Sequence, residues 1–395
     1  MPQHDTITPF AKADFRDDDR VFGIKRNDRR YHILTIGRTG TGKSTLLSNL
    51  IQADLQHAEG IAVIDPHGDL ASVALDLLPD WRSDVLIFEP GRLENGLTFN
   101  PLHVARPEQR HLVVSELMTV FQQIWGKSWG PRLEYILRIV FLTLTERPGY
   151  TLLDALRMLN DKSFRTEVVE QIEEPILKRF WTDEFGQYSK GYRTEAIAPI
   201  QNKLGEFLIN PVLRKVFDHP EGDIDPRSIM DNGRVFIADL SVGRIGRDVA
   251  MLLGATLMGK FGLAALSRSD QPKEQRKDFY LYVDELAMFA TTSIDTILSE
   301  SRKYGLSMTM ALQYLDALEP KLLGAILGNV GNLVVFRVGV KDAGILEREF
   351  VPAFSREDLI NLPYHHAYIR MMVDGKPAKP FSAKILDVNW RDEAA

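Results

Sequence analysis

Nine consecutive residues near the start of the chain have the composition and spacing of a phosphate-binding loop. The segment "GRTGTGKST" fits the pattern G-x-x-x-x-G-K-[ST]. Glycines let such a loop turn its backbone N–H groups onto a phosphate, while the lysine reaches the β- and γ-phosphates and the next hydroxyl binds Mg²⁺. The sequence therefore predicts a nucleotide site made by Gly37, Arg38, Thr39, Gly40, Thr41, Gly42, Lys43, Ser44 and Thr45.

Two acidic residues that follow an apolar run would complete this chemistry. In "FYLYVDEL" the run that begins at Phe279 ends at Asp284 and Glu285. A carboxylate at the end of a strand can hold Mg²⁺, and a neighbouring carboxylate can orient and activate water. We therefore expect hydrolysis of bound ATP, with Ser44 and Asp284 as metal ligands and Glu285 as the catalytic base.

Other kinds of site have less support. The segment "IDPHGD" (64–69) has the D-x-x-G spacing of GTP switch proteins, but the N-K-x-D base reader is missing, since "NKLG" (202–205) lacks the aspartate. Asp65 still ends a predicted strand, where ligands of α/β sheets bind. An LSGGQ-like signature of transporter ATPases is absent. The chain has no cysteine, which excludes thiolate metal sites and cysteine nucleophiles.

Short apolar runs supply the strands that must position these residues. Several are apolar throughout, as strands covered on both faces tend to be, and helical patterns separate most of them. The alternation predicts an α/β fold with a mainly parallel central sheet flanked by helices. The runs are "YHILTIG" (31–37), "GIAVIDP" (60–66), "DVLIFEP" (84–90), "RVFIADLS" (234–241), "FYLYVDE" (279–285), "LSMTMALQ" (306–313) and "NLVVFRVG" (332–339).

The strand signal fades in the middle of the chain, where the hydrophobic period becomes helical. We therefore predict an all-α domain at 105–230, inserted into a sheet domain made of 31–104 and 231–395. Residues 1–30 are expected to form an N-terminal arm. Near the C-terminus, alternating residues around Asp374-Gly375 predict a hairpin.

Composition and charge place the chain among ordinary globular proteins. The net charge of −6 excludes a basic footprint over the whole surface, but not a local basic groove or pore. The N-terminus lacks the pattern of a signal peptide. The most apolar segment, 249–266, is interrupted by Lys260 and three glycines, so it predicts a core helix and not a membrane span. We expect a cytoplasmic protein with no membrane segment of its own.

Taken in order, the motifs resemble the FtsK–HerA superfamily, and more narrowly the soluble motor domains of type IV secretion coupling ATPases, which act in conjugative DNA transfer. The resemblance covers the chain from about residue 21. The phosphate loop is generic, whereas its combination with the inserted helical region and the last motif is much more specific. The other motifs are "AVIDPHGDL", "FNPL" (99–102), "WGPRLEYIL" (129–137), "VFIADLSVG", "LYVDEL" and "SRKYGLSMTMALQ".

The resemblance implies a RecA-like ATPase core that forms a hexameric ring, translocates DNA through its centre and binds ATP between neighbouring subunits. Gln313 matches the polar sensor at the end of a strand, and Arg302 matches the arginine that acts on the neighbour's ATP. Arg337 is the alternative to Arg302, which on its own also reads as an ordinary cation at a helix end. Lys303 is expected to be a surface residue.

The DNA partner is implied mainly by the resemblance. The segment "WGKSWGPR" (125–132) interleaves two tryptophans with Lys127 and Arg132, which would suit contact with bases and phosphates, but it also suits a packed turn between helices. Secretion or conjugation components are further expected partners, although related proteins usually dock through an N-terminal membrane anchor that is not visible here. An ATP-gated assembly or protein-export ATPase without DNA contact remains the alternative.

Overall fold

All seven predicted strands are present in the structure, a computed structural model that describes residues 7–14, 20–92 and 96–387. Six more strands lie toward the two ends of the chain. The strands are β1 (Ile7–Ala13), β2 (Val21–Lys25), β3 (Ile33–Ile36), β4 (Gly60–Asp65), β5 (Val85–Phe88), β6 (Val235–Asp239), β7 (Phe279–Val283), β8 (Leu306–Leu312), β9 (Asn332–Val335), β10 (His366–Arg370), β11 (Met372–Val373), β12 (Lys376–Pro377) and β13 (Phe381–Ile385).

Eleven strands form one sheet in the order β2-β1-β13-β10-β9-β3-β8-β7-β4-β6-β5. The pairs β9–β3, β3–β8, β8–β7, β7–β4 and β4–β6 are all parallel. The carboxyl ends of these strands therefore meet at one edge of the sheet. β8 lies between β3, which precedes the glycine-rich loop, and β7, which precedes Asp284. Because crossover helices cover parallel sheets on both faces, every residue of β3, β4 and β8 is buried.

The terminal strands extend the sheet in antiparallel fashion. β10 pairs with β9 and β13, and β1 pairs with β13 and β2. Residues 1–6 and 15–19 of the expected arm lie outside the described residues, while β1 and β2 belong to the sheet, because burial of Phe10 and Ala11 gives β1 an apolar inner face. The predicted hairpin is confirmed, since β11 and β12 pair across Asp374-Gly375, whose φ angles are 52° and 73°.

Helices alternate with the parallel strands and fill the middle of the chain. They are α1 (Arg26–Arg29), α2 (Lys43–Gln56), α3 (Asp69–Asp76), α4 (Arg110–Trp125), α5 (Pro131–Leu144), α6 (Asp154–Asn160), α7 (Lys162–Glu170), α8 (Pro175–Arg179), α9 (Lys190–Ile209), α10 (Pro211–Val216), α11 (Pro226–Asn232), α12 (Val242–Ile245), α13 (Arg247–Ser267), α14 (Leu286–Phe289), α15 (Ile294–Glu300), α16 (Pro320–Asn329), α17 (Val340–Phe350) and α18 (Arg356–Asn361).

The chain divides into two compact units. The first comprises Met1–Ile87, Pro226–Asp239 and Ala264–Ala395, and contains the sheet; the second comprises Phe88–Asp225 and Leu240–Leu263, and its secondary structure is almost entirely helical. This second unit takes in segments on both sides of 105–230, and those expected bounds for a folding domain stay a prediction.

Both units have apolar cores. In the first, α2 packs Leu47, Leu50 and Ile51 into the core beneath the parallel strands. In the second, Asn100 of the "FNPL" motif is buried and donates from Nδ2 to the carbonyl of Tyr150 (2.9 Å), so this motif holds loops together within the helical unit.

One helix in the part of the chain that the structure describes is long and apolar enough to cross a membrane. It runs over Arg247–Asp270, and 78% of its most apolar window is buried inside the protein. Such burial is typical of a core helix, as predicted for 249–266.

Candidate nucleotide site

The phosphate loop begins at the carboxyl end of β3, where two backbone hydrogen bonds fix it to the neighbouring strands. The Gly37 N–H donates to the carbonyl of Leu312 at the end of β8 (3.1 Å), and the Arg38 N–H donates to the carbonyl of Arg337 just after β9 (3.0 Å). A Cβ at Gly37 would lie 2.6 Å from the Cβ of Phe336, so only glycine fits there. The sheet therefore sets where the loop starts.

Lys43 opens α2 and turns its ammonium group back over the loop. Its Nζ donates to the carbonyls of Gly37 (2.6 Å) and Arg38 (3.1 Å). Burial lowers the pKa of Lys43, while the nearby charges of Asp284 and Glu285 raise it. The lysine is therefore held inside the loop and within electrostatic reach of both predicted acidic residues.

The remaining loop residues leave an open turn at the start of a helix. Gly40 and Gly42 have φ angles of 75° and 122°. The Thr41 hydroxyl donates to the carbonyl of Arg38 (2.7 Å) and pins the turn. Backbone N–H groups at a helix N-terminus favour an anion. Solvent reaches Arg38, Thr39, Gly40 and Ser44, and Thr45 is half-buried.

Asp284 and Glu285 follow β7 at the same edge of the sheet. Burial raises the pKa of Asp284, and the carboxylate of Asp65 raises it further. The Glu285 N–H donates to the Asp284 carboxylate (3.0 Å). Glu285 has the left-handed angles φ 48° and ψ 58°, which are uncommon for a residue with a side chain. Strain of this kind clusters at functional sites, and here it falls on the predicted base.

Asp65 ends β4, one strand further along the sheet. It is fully buried, and its carboxylate accepts the N–H groups of His67 (2.8 Å) and Ala71 (2.9 Å). These bonds hold the turn that leads into α3. Asp65 therefore stabilises the turn and acts on the site through its charge beside Asp284.

Gln313, the predicted sensor, follows β8 directly. The strand order puts it between the loop after β3 and the acidic pair after β7. Its side chain is half-buried. The sensor role stays a prediction, and the position agrees with it.

Arg302 lies beyond the opposite end of β8. It belongs to a 3₁₀ turn, Ser301–Tyr304, that ends at Gly305 with φ 81°. The seven residues of β8 span about 20 Å at the usual rise of a strand, so Arg302 cannot reach the phosphate loop of its own chain. Its exposed guanidinium stacks on the ring of Tyr31, 3.9 Å from the ring centroid.

A buried histidine fixes the segment next to Arg302. The Met308 N–H donates to Nδ1 of His32 (3.1 Å), and Nε2 lies 2.9 Å from the carbonyl of Leu298. Burial lowers the pKa of His32 to about 4. The imidazole is therefore neutral at pH 7, with Nδ1 accepting and Nε2–H donating, and it ties both sides of the Arg302 turn to the sheet.

Two residues that sequence reasoning did not connect with the site lie at or near the loop: His365 contacts it directly, and Tyr364 contacts Arg337, whose carbonyl accepts the Arg38 N–H. The His365 N–H donates to the carbonyl of Thr41 (2.9 Å), and His365 has a left-handed φ of 61°. Tyr364 is 59% exposed, with the guanidinium of Arg337 4.4 Å from its ring centroid. No local pattern marks these residues, because the contact joins segments far apart in the sequence.

The same region contains unmatched buried polar atoms. Arg337 Nε and His365 Nδ1 are buried without a hydrogen-bond partner among the described residues. Arg337, the alternative to Arg302, thus lies beside its own chain's loop. Its position suits contact with the chain's own ligand more than with a neighbour's.

The 125–132 segment is largely engaged within the helical unit. Trp125 is 5% exposed, and its ring centroid lies 4.6 Å from that of Phe121. Trp129 Nε1 donates to the carboxylate of Glu134 (2.9 Å), and Arg132 pairs with Glu195 (3.2 Å). These contacts favour a packed turn over a nucleic-acid contact.

The site residues fit a nucleotide carrying Mg²⁺. Within the described residues, no group of three or more His, Asp or Glu could hold a metal ion. Mg²⁺ is usually bound by one or two protein oxygens together with substrate phosphates and waters. Ser44 and Asp284, beside an open anion-binding turn, offer such a partial set.

A strand, a glycine-rich loop and a lysine-headed helix beside an acidic strand end define the protein as a P-loop ATPase with a RecA-like sheet. More narrowly, the chain belongs to the family of the HerA helicase central domain, whose model matches residues 25–250. This confirms the resemblance to the FtsK–HerA superfamily, a class of motor ATPases that includes secretion and DNA-translocase types. The matched region ends before Asp284, Arg302 and Gln313.

Solved structures share the fold. VirB4 of Thermoanaerobacter pseudethanolicus superposes with a TM-score of 0.68 at 14% identity, covering 96% of each chain. The plasmid coupling protein TrwB, in complex with a non-hydrolysable ATP analogue, gives 0.67 at 17% identity, covering 98% of this chain and 90% of TrwB. TrwB has also been solved with ADP and Mg²⁺. These likenesses confirm the predicted α/β architecture, while no curated protein matches the sequence.

Proposed function

We propose that the protein is an ATP-driven DNA motor that works as a ring of identical subunits, with six as the expected number. The observation that carries the ATPase part is the convergence of Lys43, Asp284 and Glu285 at one edge of the sheet. Family membership supports the DNA and ring parts. The fold likeness to TrwB and VirB4 extends the proposal to secretion or conjugation components as docking partners.

We call the carboxyl edge of the parallel strands, with residues 37–45, Asp284, Glu285 and Gln313, the nucleotide edge. Each of its functional residues has a proposed task. The open turn and Lys43 bind the β- and γ-phosphates of ATP, and Ser44 with Asp284 holds Mg²⁺. Bound Mg²⁺ neutralises charge on the phosphate oxygens. Glu285 orients the attacking water and accepts its proton, for which a position just outside the strand end is suitable. Gln313 contacts the γ-phosphate as a polar sensor, so that the presence of this phosphate affects the end of β8.

Arg302 has its proposed task on the neighbouring subunit. Because β8 separates it from its own loop, its guanidinium could stabilise the transferring phosphoryl group only across a subunit interface. Gln313 and Arg302 lie at the two ends of one strand, so β8 would couple one ATP site to the next around the ring.

The test measures ATP turnover of the full chain with no DNA, single-stranded DNA and double-stranded DNA over a salt series. We expect DNA to stimulate turnover, and this stimulation to fall steeply with salt because phosphate contacts release counterions. Lys43→Ala should abolish turnover in every arm, which excludes a contaminating ATPase. Turnover that ignores DNA at all salt concentrations would overturn the DNA motor and favour the protein-export alternative.

The ring is tested separately by the mass in solution with and without a non-hydrolysable ATP analogue. A hexamer that forms or tightens with nucleotide is the expected result. A protein that stays monomeric while turning over ATP at full rate would contradict both the ring and the task of Arg302.

A further inference from the structure

The helical unit contains a cavity far larger than a water site, with no part in the chemistry described above. Its volume is about 430 Å³, within the range of small-molecule sites. α7, α8, α9 and the turns that follow α8 form its walls. The lining residues are Lys162, Arg165, Thr166, Val169, Glu170, Lys178, Trp181, Thr182, Phe185, Gly186 and Arg193.

The charge of this lining is strongly one-sided. Four basic side chains face a single acidic one, although the whole protein has a net charge of −6. Lys162 and Lys178 are exposed at the rim, whereas Arg165 and Arg193 are half-buried deeper in the wall. A concave site lined by one sign of charge raises the local concentration of ions of the opposite sign. The cavity therefore favours an anion.

The two arginines stack on the same aromatic ring. Their guanidinium carbons lie 5.1 Å (Arg165) and 5.2 Å (Arg193) from the ring centroid of Phe185. Burial lowers the pKa of Arg165, and the like charge of Arg193 lowers it further. Asp161 offsets part of this repulsion. Two guanidinium groups within electrostatic range of each other, and without a bidentate carboxylate partner among the described residues, offer donors that suit a phosphate.

Their hydrogen bonds leave donors unused. Arg193 donates from Nη2 to the carbonyls of Phe185 (3.1 Å) and Gly186 (3.2 Å), but its Nε is buried without a partner among the described residues. Arg165 donates from Nη1 to the carbonyl of Met158 (2.8 Å). The same nitrogens also donate to the carbonyls of Leu159 (Arg165, 3.2 Å) and Tyr188 (Arg193, 3.5 Å), so these bonds hold the guanidinium groups in place. Among the described residues, Nη2 of Arg165 and Nη1 of Arg193 have no hydrogen-bond partner, and they are the donors left for a ligand.

The wall between the charges is aromatic and locally distorted. Trp181 and Phe185 are buried, and Trp181 Nε1 donates to the hydroxyl of Thr143 (2.8 Å), which fixes the ring. Trp181 lies in a π-helical turn, Phe180–Glu184. Such turns are rare and frequently occur at functional sites. The buried rings therefore hold the two arginines in place beneath the cavity, and only a small part of Trp181 is exposed to a ligand.

We propose that this cavity binds a phosphate-bearing ligand of mononucleotide size, with the phosphate among the basic side chains and the base beside the small part of Trp181 that lines the cavity. The ligand is either a free nucleotide or the terminal nucleotide of a DNA strand, which share this chemistry. The site is separate from the phosphate loop and does not depend on the proposed motor function.

The test titrates the full chain carrying Lys43→Ala with thymidine 5′-monophosphate in EDTA by calorimetry, so that the ATP site does not contribute. The rim lysines serve as the decisive variant, because their side chains are exposed and the fold does not depend on them. We expect Lys162→Gln with Lys178→Gln to weaken binding at least about tenfold, through the loss of two charged donors. The matched control Lys215→Gln, an exposed lysine of the same unit outside the cavity, should bind like the parent protein.

Two further arms identify the source of the phosphate. Competition by a 5′-phosphorylated dinucleotide, but not by its unphosphorylated form, supports capture of a strand end. Binding of the monophosphate alone supports a free nucleotide. No heat of binding at millimolar monophosphate, or equal affinity in the double-lysine variant and the Lys215→Gln control, would overturn the proposal.

Discussion

Two groups of charged side chains in the first unit differ in how their charges are compensated. Beneath the sheet, Arg29 is 1% exposed and forms a two-pronged ion pair with Asp54, while its Nη2 also donates to the Tyr282 hydroxyl (2.8 Å). At the nucleotide edge, Lys43 donates to two backbone carbonyls and to no side chain among the described residues, and burial raises the pKa of Asp284.

The contrast separates charged residues that hold the fold together from charged residues that are left to bind a ligand. The attraction of Asp54 holds the pKa of Arg29 well above its ordinary value despite burial, so that pair is complete within the chain. At the nucleotide edge, burial and the carboxylate of Asp65 hold the pKa of Asp284 above its ordinary value. A cation beside Asp284 and an anion beside Lys43 would stabilise the charged forms of these two buried side chains. We therefore expect changes at the edge to alter turnover and changes beneath the sheet to alter stability.

The largest effect is expected from Arg302→Ala, which tests whether an exposed cation far from its own loop belongs to the catalytic group. A finger on the transferring phosphoryl group contributes about 10³–10⁵ in rate, so turnover should fall by that order while ATP affinity and the unfolding midpoint stay near the parent values. Steady-state turnover and nucleotide titration measure the two quantities. Lys303→Ala is the matched control, since Lys303 pairs with Glu300 on the surface and should keep full activity. Normal turnover in Arg302→Ala would assign Arg302 to the surface.

Glu285→Gln separates binding from chemistry within the nucleotide edge. Loss of a general base lowers turnover by about 10²–10⁴, whereas the neutral side chain keeps the shape of the site. ATP affinity should stay within a few-fold of the parent or increase, because one negative charge near the phosphates is removed. Single-turnover hydrolysis and equilibrium binding of ATP check the two parts. A variant that loses binding and turnover together would make Glu285 a structural residue of the loop.

Asp54→Ala makes the opposite test. Removal of one partner of a buried ion pair leaves Arg29 uncompensated and costs about 3–5 kcal/mol of unfolding free energy. Denaturant unfolding should show this loss, while the fraction that remains folded binds ATP normally, since Asp54 lies near the far end of α2 from Lys43. Glu300→Ala, which breaks an exposed pair, should unfold like the parent. A stability unchanged by Asp54→Ala would remove the distinction between the two groups.

The sequence was sufficient to predict the features that depend on a local pattern of residues, namely the strands and the phosphate loop. Seven apolar runs predicted the strands correctly, because parallel strands buried on both faces are apolar throughout. The phosphate loop around Lys43 was also placed correctly between a strand and a helix, because its residues are neighbours with a fixed spacing.

The contacts that sequence reasoning missed join distant segments. The pairing of Arg29 with Asp54 depends on the path of α2, and the contact of His365 with the loop depends on how β10 follows α18. β1 is added to the sheet by pairing with β13, and β2 is added by pairing with β1. Because these partners are distant or weakly patterned, the sequence of β1 and β2 alone did not indicate strands of the sheet. Nothing local in these segments specifies the partner.

The smallest expected effect concerns Tyr31, which lies two residues before β3 and has the guanidinium of Arg302 3.9 Å from its ring centroid. An exposed cation–π contact contributes about 0.5–1 kcal/mol, so Tyr31→Leu should lower turnover only two- to five-fold, by loosening the guanidinium that acts on the neighbour. The matched variant Tyr31→Phe keeps the ring and should keep turnover. In an Arg302→Ala background Tyr31→Leu should have no further effect on turnover, because the group that it positions is gone. If Tyr31→Leu lowered turnover by the same factor in that background, Tyr31 would act independently of Arg302, through β3 and the phosphate loop of its own subunit.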